Sequence, residues 1–150
     1  MRKAMIIFFI FLMLTGTLSS CESNTGEQIN YSEKPILSQM KEYKIKYVGD
    51  VGGVNKLLGF LPQFDKNYRH NMISLQTDTY PYGLTIYYEP VESFTDVSMN
   101  NTEEMTTYAK YLFECIDNLG YVEYAYRITP SENKLDESKY VILLKVERPQ

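Results

Sequence analysis

Met72-Ile73-Ser74-Leu75-Gln76-Thr77, Asp78-Thr79-Tyr80-Pro81-Tyr82-Gly83 and Leu84-Thr85-Ile86-Tyr87-Tyr88-Glu89 form the continuous stretch that decides the fold class. Its outer thirds are rich in β-branched and aromatic residues, and its middle third carries turn chemistry. That order predicts a β-hairpin over 72–89 with a six-residue loop. Pro81 presets one turn dihedral, and Gly83 permits a positive φ.

Working outward, Met105, Tyr108, Leu112, Cys115, Ile116 and Leu119 recur at helical spacing. They predict a long helix over 102–119, with Asn101 and Glu104 as its capping box and Gly120 as its stop. Tyr121 to Ile128 alternates with Val122, Tyr124, Tyr126 and Ile128 on one face, a strand signature. Pro130 to Glu137 reads as a polar loop. Tyr140 to Val146 is apolar nearly throughout, which predicts a strand that is central or covered on both faces. Upstream, Tyr43 to Tyr47 alternates as a strand does, and Asp50 caps a short helix carrying Val54, Leu57, Leu58 and Leu61 before Pro62 stops it. The expected class is α+β: an antiparallel sheet of about five strands with two helices packed on one face. Its order is β-α-β-β-α-β-β, and the first six elements fit the ferredoxin-like split pattern.

Composition narrows the function. The 150 residues suit one domain, and the formal charge of −4 argues against a nucleic-acid partner, which would need a basic patch. Two cysteines cannot build a disulfide framework and one histidine cannot build a His-rich metal site, so no cofactor and no metal are expected.

The N-terminus reads as an address. Met1-Arg2-Lys3 is a positive start, and Ala4 to Leu14 is an apolar run too short to span a bilayer but right for a secretory signal. Leu18-Ser19-Ser20-Cys21 then resembles the bacterial lipobox, whose cysteine receives a diacylglyceryl group. The expected organisation is a lipoprotein signal peptide over 1–20, lipidated Cys21 with a flexible tether over 21–40, and one extracytoplasmic domain over 41–150. Cleavage before Cys21 removes Arg2 and Lys3, lowering the basic count from 15 to 13 against 19 acids, so the mature charge is −6. Such an acidic module is repelled by anionic lipid and is expected to stand off the membrane that anchors it. Glu22 to Glu33 would span roughly 20 Å as a coil.

Tyr47-Val48-Gly49-Asp50, Asn55 to Pro62, Ile73 to Thr77 with Pro81 to Ile86, and Ile116-Asp117-Asn118 together resemble domain of unknown function 4825. The resemblance covers roughly 42–128, and the LQT…PYGL hairpin is its most specific part. It implies a secreted or membrane-attached module of Gram-positive bacteria, in some cases appended to membrane-bound sensors or peptidases, and it brings no catalytic residues.

Side chains with reactive chemistry are few. His70, in the polar stretch 65–71, would need an acid such as Asp65 and a nucleophile beside it; alone it reads as a solvated loop histidine. Cys115 lies near a helix C-terminus next to Glu114, where a thiolate is disfavoured, and reads as a small buried hydrophobe. Gly49 to Gly53 lacks nucleotide-loop spacing and reads as a capped turn. Asp96, Glu103 and Glu104 suit a helix dipole better than calcium. Tyrosine is the unusual feature: 14 residues and no Trp. Tyr43, Tyr47, Tyr88, Tyr124 and Tyr126 fit inward or edge strand positions. Tyr80, Pro81, Tyr82, Gly83 and Tyr87, with Phe60 as a neighbour, form the candidate binding surface, since tyrosines on a hairpin tip give large contact area at low entropic cost. The expected function is a lipid-anchored, extracytoplasmic, non-catalytic binding or sensor-like module of the cell envelope. Its partners would be the membrane, through the anchor, and an envelope protein or peptide; the sequence leaves its oligomeric state open. The alternative is an envelope hydrolase or an accessory domain of a membrane peptidase or sensor system. It requires Asp65 with His70, or Asp78 with Glu89, to converge in a cleft.

Overall fold

The computed structural model describes residues 35–93, 101–131 and 136–150, which lie in one compact unit beginning at Lys34. The hairpin forms from β1 (Tyr68–Gln76) and β2 (Tyr82–Pro90), longer than the sequence suggested. Leu75 sits opposite Leu84, Ser74 opposite Thr85 and Ile73 opposite Ile86, and a bulge between His70 and Met72 bends β1. Gly83 does not use the positive φ open to it; it lies inside β2.

From β2 the chain passes through α3 (Thr102–Cys115) to β3 (Leu119–Tyr126), then to β4 (Val141–Glu147). The helical crossover returns the chain to the end where β2 began, so β2 and β3 pair in parallel, whereas β1–β2 and β3–β4 are antiparallel. The result is an open, mixed, four-stranded sheet in the order β1-β2-β3-β4. The α+β class holds. The all-antiparallel sheet of five strands, the count of two helices and the ferredoxin-like order do not: the described residues hold four strands and three α-helices.

Two local differences explain that outcome. Residues 43–47 form no strand; only Ile45 bridges to Ile116, with its N–H on Cys115 O (2.8 Å) and its carbonyl taking Asp117 N–H (3.1 Å). The period-2 pattern there reflects lysines and tyrosines alternating on an exposed loop. β4, expected at the centre, is an edge: Leu143, Leu144 and Val146 reach the core while Val141 and Ile142 are exposed. An apolar run by itself does not distinguish an edge from a centre.

Two short helices precede the sheet. α1 (Ile36–Lys41) falls within the stretch expected to be tether, and its Met40 is fully buried. Residues 35–40 therefore belong to the fold. α2 (Val51–Leu58) begins where Asp50 accepts the Gly53 N–H (3.0 Å), as its sequence requires, and buries Val54 and Leu57.

α3 starts at Thr102 as expected but ends at Cys115, earlier than its apolar stripe implies. Ile116 turns extended, and the Arg148 side chain donates to the carbonyls of Phe113 (2.7 Å), Ile116 (2.6 Å) and Leu119 (2.6 Å). A side chain arriving from the far end of the sequence thus satisfies the carbonyls that a helix end leaves open. Leu119 and Gly120 are then free to open β3. Asn101 makes no capping bond; its Nδ2 donates instead to Phe64 O (2.6 Å).

The core lies between the helices and one face of the sheet. Leu84, Ile86 and Tyr88 from β2, Val122 and Tyr124 from β3, and Met105, Ala109 and Leu112 from α3 are its centre. Each large apolar side chain buried there contributes about 1.5–3 kcal/mol. Among the described residues no helix is long and apolar enough to cross a membrane.

Candidate functional site

The tip of the hairpin, residues 77–81, projects where β1 ends and β3 begins. Tyr80 is 75% exposed, and its ring meets that of Tyr82 edge-on, with centroids 5.8 Å apart at 87°. Three contacts set the tip's position. Pro81 lies so close over Gly120 that a Cβ there would come within 2.6 Å of it. Tyr121 lays its ring on Gly83, where an added Cβ would fall 2.1 Å from Cζ. Lys145 Nζ stands 4.2 Å from the centre of that same ring. The glycine at 83 is therefore explained by a neighbouring ring and not by turn geometry. Together the tip offers two rings and two hydroxyls on a packed base, which suits contact with an apolar or aromatic surface carrying a few polar groups.

The remaining expected members of the surface lie elsewhere. Tyr87 is 6% exposed and sits in the body of β2 opposite Met72, its ring packed edge-on to Tyr140 at 4.8 Å. Phe60 stacks on Tyr43 at 5.3 Å. Of the tyrosines expected to face inward, Tyr88 and Tyr124 are buried and Tyr126 is partly so, whereas Tyr43 and Tyr47 stand on the loop between α1 and α2.

His70 is not in a loop. It occupies β1 opposite Tyr88 and lines a cavity of about 220 Å³ with Leu58, Leu61, Pro62, Gln63, Arg69, Ile86 and Tyr88. Its side chain remains exposed, as a solvated histidine would be; partial desolvation by the cavity walls pulls its pKa down, against a hydrogen bond with the Met72 backbone that raises it. Asp65 is engaged locally, accepting the Asn67 N–H (2.8 Å). Asp78 belongs to the loop before β2, and Glu89 lies near the other end of that strand, so the two do not converge. Cys115 is a buried free thiol whose pKa is raised by burial and then by Glu114. Asp96 lies outside the described residues. Among the described residues no group of three or more His, Cys, Asp or Glu side chains is placed to hold a metal.

Two arrangements escaped the sequence reading. Glu89, 1% exposed, accepts from Arg69 Nη2 (2.8 Å) and Nε (3.1 Å) and from the Ser131 N–H (3.0 Å). Burial raises its pKa, but the bonds from Ser131 and Arg69 outweigh that and leave it below the ordinary carboxylate value. The second is a pair of lysine–tyrosine contacts involving the α1–α2 loop and α2. Lys56 Nζ sits 3.6 Å from the centre of the Tyr43 ring, Lys46 Nζ sits 5.1 Å from that of Tyr47, and Tyr47 and Val51 are 57% and 51% exposed. The alternation of Lys and Tyr over 43–47 was the available signal, and it was read as a strand.

The geometry defines a small α+β module: an open mixed sheet with helices packed on one face and an aromatic hairpin tip at one end. Comparison with protein families gives the finer assignment. The chain belongs to the family described as Domain of unknown function (DUF4825), whose model matches residues 40–140. No curated protein and no solved structure matches it.

Proposed function

We propose that this chain is a lipid-anchored, extracytoplasmic, non-catalytic binding or sensor-like module of the bacterial cell envelope, with Tyr80, Pro81 and Tyr82 as its contact surface. The observation that carries the reading is the contrast within the tip. Pro81 is wedged against Gly120, whereas the large apolar ring of Tyr80 stands in solvent and contributes little to folding. Exposed aromatic groups on a fixed base are a common form of protein or peptide contact. The anchor rests on Leu18-Ser19-Ser20-Cys21 at the end of an apolar run of signal-peptide length.

The anchor is tested by Cys21→Ser. That chain should leave the membrane fraction or persist as unprocessed precursor; membrane association at the processed mass would reject lipidation. The surface is tested by Tyr80→Ala/Tyr82→Ala, which should abolish most capture of whatever the unaltered chain retrieves from envelope extract. Undiminished capture would remove the tip as the contact surface.

A further inference from the structure

β1 is an edge of the sheet, and part of that edge lies beside the cavity between the end of α2 and the strands. Tyr68 turns its main chain away from β2: its N–H donates to Asp65 O (3.1 Å) and its carbonyl accepts from the Gln63 side-chain amide. Residues two apart along a strand direct their main-chain groups to the same side, so the N–H and C=O of His70 also face away from β2. Among the described residues no strand pairs with that side of β1. Asp65 and Gln63 thus close the edge at Tyr68 and leave it open at His70. The cavity itself is apolar inside and polar at its mouth. Ile86 and Tyr88 are its buried floor, and Leu58 and Leu61 are half-buried walls. Gln63, Arg69 and His70 are exposed and mark the mouth, which therefore opens on the β1 edge. At about 220 Å³ the space is smaller than sites for drug-sized ligands and suits one large apolar side chain.

We propose that the β1 edge at His70 and this cavity together bind an extended peptide segment, which adds a strand beside β1 and places one large apolar side chain in the cavity. Strand addition of this kind draws affinity from main-chain hydrogen bonds and specificity from a side-chain pocket. The mouth carries the groups that a peptide needs. Gln63 spends its amide N–H on Tyr68 O and keeps Oε1 as an acceptor, while Arg69 commits Nε and Nη2 to Glu89 and keeps Nη1 as a donor. A peptide unit offers one N–H and one C=O, the complement of that pair. Charge favours an internal segment over a free carboxyl terminus. Arg69, the cation at the mouth, is already matched by the buried Glu89 carboxylate, and desolvation holds the His70 imidazole neutral at pH 7. The site lies at the opposite end of β1 from the hairpin tip, so it is a second contact surface, independent of Tyr80 and Tyr82.

The test is an NMR titration of the full chain, isotope-labelled and in detergent, with three heptapeptides in a threonine host. All are acetylated and amidated, so none carries charge. One has leucine at its centre, one has glycine there, and one is the leucine peptide with every amide N-methylated. The leucine peptide should shift the resonances of Gln63, Arg69 and His70. It should bind about tenfold or more tightly than the glycine peptide, the worth of one buried leucine side chain. The N-methylated peptide has no N–H to give the edge and should shift none of them. Because the protein is unaltered throughout, loss of folding cannot imitate a negative result. Equal affinity for the leucine and glycine peptides would overturn the role of the cavity, and undiminished binding of the N-methylated peptide would overturn strand addition. Shifts confined to 79–82 would put the peptide on the hairpin tip, overturning this site and leaving the proposed contact surface standing. His70 shifts that follow dilution of the chain without peptide would give the edge to a second copy. No shift with the leucine peptide at about 1 mM would reject the proposal outright.

Discussion

Tyr124 and Tyr80 carry the same side chain and meet opposite fates. Tyr124 is buried in the middle of β3, its hydroxyl donating to Met105 O (2.8 Å) and its ring edge-on to Phe64 at 5.8 Å. Burial, with smaller effects from Tyr88 and Tyr108, pushes its hydroxyl pKa up, so the group stays a neutral donor at any physiological pH. Tyr80 spends the same apolar area on solvent. Tyrosine abundance therefore has two separate causes here: an aromatic core in which rings fill space and hydroxyls find backbone partners, and an aromatic rim that folding does not require.

The comparison breaks first at the core. Tyr124→Ala should cost about 3–5 kcal/mol, because the ring leaves a cavity and Met105 O loses its donor. Urea denaturation measures this, and a loss below 1 kcal/mol, on the order of an exposed substitution, would show that the ring is not a core element.

A smaller effect is expected where a buried charge meets the surface. Arg69→Ala leaves the Glu89 carboxylate buried with only Ser131, and should cost about 1–2 kcal/mol near neutral pH, since the exposed guanidinium is partly screened. The folded pKa of Glu89 is depressed, so its contribution is present above the ordinary carboxylate value and is lost as pH falls through the folded value. The stability gap between unaltered and Arg69→Ala chains should accordingly narrow between pH 7 and about pH 3. A gap that stays constant over that range would assign the loss to packing of the arginine stem.

The smallest effect on stability belongs to the rim. Tyr80→Ala alone should lower stability by no more than about 1 kcal/mol, whereas Tyr82, half-buried against the core, adds to that cost when it is removed as well. A melting temperature reduced as far as that of Tyr124→Ala would erase the distinction between core and rim.

Much of this architecture could be read along the chain. Local signals carried the hairpin, the start of α3 and the Asp50 cap of α2, because each depends on neighbours within a few residues. The hairpin tip was legible for the same reason. Tyr87 was misassigned to it because sequence proximity to the loop says nothing of whether a ring turns toward Tyr140.

What the sequence determined by itself was the α+β class, the amphipathic faces and the reactive side chains on offer: one histidine, one thiol beyond Cys21, and many tyrosines. Only the tertiary structure decided that β2 and β3 run parallel, that β4 is an edge, that α3 stops at Cys115, and that Lys46 and Lys56 lie over the rings of Tyr47 and Tyr43. Most of those outcomes depend on groups far apart in the chain. Arg148 terminates a helix more than thirty residues upstream, and Tyr121 reaches across to Gly83. Periodicity records which face of an element is apolar; it holds no record of which distant side chain will arrive to meet it.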